Sequence, residues 1–141
     1  MATELSEAAD LDINTAYAAM AGTNKHIGTS FMQAANVDPA VAMFDMVLGG
    51  EGRFRERPFC QLHATTMVPP LKFSIDTAYV MAEALKHGMP INAITAGQAG
   101  ATAPATLAGF LAQSLAETLA SLVMVHAIQP GFPMVFSNWP F

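Results

Sequence analysis

The sequence predicts an α/β fold, a partial (β/α)8 TIM barrel of about four strands alternating with helices. Three observations carry this expectation. Strand-like and helix-like stretches alternate as β-α-β-α-β-α-β behind a leading helix, at a spacing that suits parallel βαβ units of ~30 or more residues. The 141 residues are 52% hydrophobic and only 12% charged, against a usual charged share of ~25%, so much of the surface requires cover. One strand also carries polar residues on alternate positions, which suits a face turned to a barrel lumen better than one buried under helices. Four strands do not close a barrel that usually takes ~250 residues. Residues 1–141 are therefore expected to form a single partial barrel domain, a fragment of a longer protein.

The elements follow in order. "DINTAYAAMAG" is alanine-rich and stops at Gly22, a short helix. "KHIGTSF" is a short strand. "NVDPAVAMFDMVLGG" is a helix, with Asp38 as its cap, Pro39 in the first helical position and Gly49–Gly50 at its end. Val41, Phe44, Met46, Val47 and Leu48 are expected on its buried side. "EGRFRER" reads as a solvated loop. "PFCQLHATTM" is a strand that the prolines of "VPPL" break. "FSIDTAYVMAEALKHG" is a helix capped by Ser74, with Ile75, Ala78, Tyr79, Ala82 and Leu85 at helical spacing. "MPINAITAG" is a strand, "APATLAGFLAQSLAETLASLVMVHAI" a long helix with Pro104 near its start, and "QPGFPMVFSNW" turns into a last strand.

Composition excludes several function classes. The net charge is −5 and no Lys/Arg run occurs, so a nucleic-acid partner is not expected. Cys60 is the single cysteine, which rules out an intrachain disulfide and a cysteine-built zinc site and points to a cytoplasmic setting. "MATELSEAADLD" lacks the apolar core of a signal peptide. The most apolar segment, Thr106–Ile128, is interrupted by Gln113, Glu117 and His126. It is expected as a buried helix of a soluble protein, with no membrane contact. His26, His63, His87 and His126 include no pair at i, i+4, so no protein-bound metal is expected, and no G-x-S-x-G nucleophile turn occurs.

Candidate site residues come from strand parity. In "FCQLHATT", Cys60, Leu62 and Ala64 point one way and Gln61, His63 and Thr65 the other. The polar row needs partners or water, because each unpaired buried group costs ~1–3 kcal/mol. His63 by itself reads equally as a hydrogen-bonded core histidine. The stretch "NAITAGQAGATAPATLAGF" joins a strand to the long helix. It lacks both the lysine of a P-loop and the G-x-G-x-x-G spacing of a dinucleotide fold. What remains is a loop at a strand's C-terminal end, where Gly97 and Gly100 allow close approach, Thr102 caps the helix and Gln98 adds an amide. It reads as an ordinary turn or as the rim of a site. Trp139, with Phe136 and Phe141 near it, follows the last strand. It is either core or an aromatic face, which attracts a quaternary ammonium by ~0.5–2 kcal/mol.

The stretches "NKHIGTSF", "AMFDMVLGGEGRFRERPF", "AGQAGATAPATLAG" and "SNWPF" resemble the trimethylamine methyltransferase (MttB-like) family, a likeness that covers most of the chain. The resemblance implies a (β/α)8 barrel that moves a methyl group from trimethylamine or a quaternary amine such as glycine betaine, as in methanogenesis. The acceptor it implies is the cobalt of a corrinoid (cobalamin) carried by a separate corrinoid protein, with no cofactor bound by the chain itself. Family members are several times longer, so the fragment alone is expected to be inactive, and the full-length form to be oligomeric. The resemblance assigns no catalytic residue. On strand parity, Gln61, His63, Thr65, Gln98 and Trp139 are expected to bind substrate, and Gly97, Gly100 and Thr102 to form a corrinoid-facing loop. The alternatives are a non-catalytic subunit that needs a partner, or another TIM-barrel enzyme such as an aldolase or lyase. The latter would need a Schiff-base lysine within a strand, a place that neither Lys25 nor Lys72 clearly occupies.

Overall fold

A computed structural model of the chain describes residues 7–139; Phe141 and the start of the acidic N-terminal stretch lie outside them. Helix α1 (Ala8–Ala21) ends at Gly22, and β1 (Ile27–Thr29) follows. Buried Asp12 ties α1 to the chain beyond β1. Its carboxylate accepts the Met32 N–H at 2.9 and 3.0 Å and the Asn36 side-chain amide at 2.7 Å. A 3-10 turn (Ala34–Asn36) then leads into α2 (Val37–Leu48). That turn moves the helix start. Asn36 is the N-cap, and Asp38 and Pro39 sit in the first turn rather than serving as cap and first residue. α2 buries Val37, Ala40, Val41 and Phe44, an i, i+3, i+4, i+7 stripe. Met46 and Val47, expected inside, fall off that stripe and are exposed. Gly49 ends the helix at φ 93°, a left-handed conformation that glycine adopts without strain.

The stretch expected as a solvated loop holds α3 (Arg53–Glu56), and its Phe54 is fully buried. The Asp45 carboxylate accepts the N–H groups of Gly52 and Phe54 at 2.9 and 2.6 Å, which turns the chain inward. Phe54 then joins Phe44 and Phe59, with ring centroids 5.2, 5.2 and 5.7 Å apart, in the tilted and edge-on geometries aromatic rings prefer. After β2 (Cys60–Ala64), the two prolines do more than break a strand. They turn an antiparallel hairpin of β3 (Met67–Val68) and β4 (Lys72–Phe73). Helix α4 (Ile75–Lys86) is capped by Ser74, whose hydroxyl accepts the Thr77 N–H at 3.3 Å. It buries Val80, Met81, Ala84 and Leu85, while Ile75 and Tyr79 are exposed. Of the expected set, Leu85 reaches the core, where Val80, Met81 and Ala84 join it.

The last units are β5 (Ile91–Thr95), α5 (Leu107–Ile128) and β6 (Met134–Asn138). The main sheet has the order β1-β2-β5-β6 with every pair parallel. Spatial order follows chain order without the reversal of a doubly wound sheet, and right-handed crossovers then put all the helices on one face. The core lies on that face, where Cys60, Leu62, Ala64 and Ile91 join Phe44, Met81, Leu85 and Val125 in one cluster. β1 and β6 are the edges of this open sheet.

Helix α5 departs from its expected burial. Its buried positions are Phe110, Ser114, Glu117, Ser121 and Val125, three of them polar. Ser121 bonds Thr66, Ser114 accepts from the Asn138 amide at 2.8 Å, and Glu117 Oε1 accepts the Leu71 N–H at 3.1 Å. Leu107, Leu111, Leu115 and Leu119 face outward, 48–73% exposed. The helix is long and apolar enough to cross a membrane by length and composition, yet its polar side is bonded to strand ends and hairpin. The hydroxyls and the carboxylate face inward because strand-end polar groups there need partners.

Candidate functional site

The sheet has a second face, away from the helices. In β2, Cys60, Leu62 and Ala64 are buried in the core and Gln61 and His63 are half-buried on the other side. Register extends this face across all four strands: Gly28 pairs with Gln61, His63 with Asn92, and Asn92 with Val135. Gln61 Nε2 and His63 Nε2 lie 3.1 Å apart. The Ser137 hydroxyl donates to Asn92 Oδ1 at 2.8 Å. The Ser30 hydroxyl holds the His63 carbonyl at 3.1 Å.

Gly28 makes room for this arrangement. A Cβ at that position would overlap the His63 imidazole, so the ring lies across β1 only because residue 28 is glycine. Burial pushes the His63 pKa below the ordinary imidazole range, and nearby His26 adds to the effect. The face therefore presents a neutral imidazole, two amides and a hydroxyl near neutral pH. On the core side, burial pushes the Cys60 thiol up to about 12, partly offset by a hydrogen bond from the Thr29 backbone. That thiol stays protonated and is no nucleophile at neutral pH.

The remaining expected site residues lie toward the C-terminal end of the parallel sheet. Thr65 is exposed just past β2. Gln98 organises the loop after β5 through its backbone. Its carbonyl accepts the N–H groups of Ala101, Thr102 and Ala103 at 2.9–3.1 Å, and its N–H donates to Thr102 Oγ1 at 3.0 Å. Thr102 therefore closes the loop and does not cap α5. The cap is Thr106, which accepts the Gly109 N–H at 3.3 Å, because the loop turns back on itself before the helix begins. Gly100 takes φ +80° at the exposed tip, whereas Gly97 is buried, and a Cβ there would press on Ala103 at 3.3 Å. Trp139 is 62% exposed and shares strand parity with Ser137. Its N–H donates to Thr95 O at 2.8 Å, which prolongs the β5–β6 pairing.

Residues 3–140 match the family described as trimethylamine methyltransferase (MTTB). The chain belongs to that family. Trimethylamine methyltransferase MttB of Desulfitobacterium hafniense (strain DSM 10664 / DCB-2) is 30% identical over 118 residues, 82% of this chain and 23% of the relative. MttB1 of Methanosarcina mazei is 28% identical over 122 residues, 85% of this chain and 24% of the relative. A proline betaine:corrinoid methyltransferase of Eubacterium limosum is 32% identical over 74 residues, 52% of this chain and 15% of the relative. The chain thus spans about a quarter of the length of the MttB relatives it matches.

Two residues of this MTTB-family face escaped sequence reasoning, Asn92 and Ser137. The signal was present, since each is a polar residue within an otherwise apolar strand stretch, "INAI" and "MVFSN". Only the register between strands sets Asn92 beside His63 and brings Ser137 to Asn92. Lys72 lies in exposed β4 of the hairpin, outside the main sheet, which gives the aldolase alternative no support.

Proposed function

We propose that this chain supplies part of the barrel of a corrinoid-dependent methyltransferase acting on a methylated amine. The supporting observation is the row Gln61–His63–Asn92–Ser137 on the sheet face turned away from the helices. These groups are neutral and held by their own hydrogen bonds, so they orient a donor without taking up its methyl. Gln61, His63, Thr65, Gln98 and Trp139 bind the amine, with the Trp139 face toward its cationic nitrogen. A partner's reduced cobalt would supply the nucleophile, the new Co–C bond forming as the C–N bond breaks and its electron pair stays on the departing amine. The chain's task is to fix the C–N bond in line with the approach and to exclude water. The loop tip of Ala99, Gly100 and Ala101 is exposed and small, which fits transient approach of a large planar group. The medium is the reducing cytoplasm, where such a corrinoid stays active.

The test is a chimera in which this chain replaces the matching segment of the Desulfitobacterium relative. Methyl transfer to a corrinoid protein is followed by corrinoid absorbance, with trimethylamine, glycine betaine and proline betaine as donors. His63→Leu and Asn92→Leu should each lower kcat/KM about tenfold or more, as a lost buried polar contact of ~1–3 kcal/mol would. Trp139→Ala should weaken donor binding by ~0.5–2 kcal/mol. Unchanged kcat/KM in both leucine variants would place the donor elsewhere.

A further inference from the structure

On the helix side, far from the polar sheet face, the C-terminal turn of α4 meets the first turn of α2. Glu83 and His87 stand four residues apart on α4, a spacing that puts both on one helix face. Asp38 reaches them from α2. His87 Nε2 bonds Asp38 Oδ1 and lies 3.8 Å from Glu83 Oε1. One ligand atom from each of the three residues lies within 4.8 Å of the other two. Lys86 Nζ holds the second Glu83 oxygen, Oε2, at 2.6 Å, so Oε1 is the one turned to the imidazole. A cavity of about 560 Å³, lined in part by Asp38, Asp45, Glu51 and His87, opens beside the cluster.

We propose that Asp38, Glu83 and His87 form a binding site for a divalent transition metal. An imidazole nitrogen and two carboxylate oxygens suit Zn²⁺, Co²⁺ or Ni²⁺ better than Ca²⁺ or Mg²⁺, which prefer an all-oxygen set. Tetrahedral metal–ligand bonds of ~2.0–2.2 Å hold the ligand atoms roughly 3.3–3.6 Å apart, so an ion enters by parting His87 Nε2 from Asp38 Oδ1 while Glu83 Oε1, at 3.8 Å from the ring nitrogen, moves slightly inward. A fourth position opens toward the cavity and takes water. The carboxylates of Asp38, Asp45, Glu51 and Glu83 outnumber the cations Arg55 and Lys86 around the site, so the local charge favours a cation. A bound ion replaces the His87–Asp38 hydrogen bond and clamps α2 to α4. Its role is structural, since the polar sheet face is on the other side of the sheet.

Metal-stripped protein titrated with Co²⁺ and Zn²⁺ tests this, read by Co²⁺ visible absorption and by the melting temperature. The expected result is one ion per chain and a Tm that rises with metal. His87→Ala and Glu83→Gln should each weaken binding at least about tenfold. His26→Ala, His63→Ala and His126→Ala should leave it unchanged. The same titration of the chimera above, with and without His87→Ala, reads the site even where the isolated chain self-associates. Binding that survives His87→Ala, or no stoichiometric binding in either protein, would reduce the cluster to an ion pair.

Discussion

At the scale of single residues, His63 shows how much one neighbour decides. Its ring needs Gly28 beneath it, Gln61 beside it and Asn92 in register. Desolvation lowers its pKa from the ordinary 6.5. The unfolded chain then takes up this proton before the folded chain does as pH falls. Stability contributed by neutral His63 is thus fully present above pH 6.5 and is lost as pH falls through the lowered folded value. Melting temperatures between pH 7.5 and 5 should drop more steeply for wild type than for His63→Gln. Parallel curves would mean that the ring is not desolvated. The parity of "CQLHA" made this face legible in the sequence. The glycine beneath the ring was not, because Gly28 and His63 meet only across strands.

At the scale of elements, helix α5 and its entry loop carry the main surprise. Thr102 was expected to cap the helix, but the loop folds it onto the Gln98 N–H and Thr106 caps α5 instead. Thr106→Ala should cost about 1 kcal/mol, as loss of an N-cap does. Thr102→Ala, on an exposed loop, should stay within ~0.5 kcal/mol while exchange of the Gln98 amide quickens. Urea midpoints with amide exchange separate the two, and a larger stability loss for Thr102→Ala would put the helix start in the wrong place. The helix itself was legible by length and hydropathy, but its orientation was not. Hydrophobicity alone would have turned its leucines inward. Strand-end groups such as Thr66 and Asn138 instead demand the Ser114, Glu117 and Ser121 side.

At the scale of the whole molecule, the sheet among the described residues ends in two unpaired edges, β1 and β6, and α5 exposes a row of leucines at Leu107, Leu111, Leu115 and Leu119. Open edges and contiguous apolar surface both promote association. The 14.9 kDa chain should therefore elute as associated species in size-exclusion chromatography with light scattering. The double variant Leu115→Glu/Leu119→Glu should shift the population toward monomer, with the far-UV spectrum retained. A monodisperse wild-type monomer with a cooperative melt would show that this open sheet stands alone.

The sequence by itself determined the order of the four main-sheet strands and of the long helices around them, the parallel α/β class and the polar parity of β2. These follow from local periodicity, from proline and glycine punctuation and from the alternation of side chains along a strand. It also determined the family, because "NKHIGTSF" and "AGQAGATAPATLAG" are long enough to be distinctive. Tertiary structure alone decided which stripe of α2, α4 and α5 turns inward. It also brought Phe54 into the core, Asn92 beside His63, Ser137 beside Asn92, and Asp38 to Glu83 and His87. Each of these depends on contacts between residues far apart in the chain, where satisfying a buried polar group or filling a shared core outweighs the local pattern.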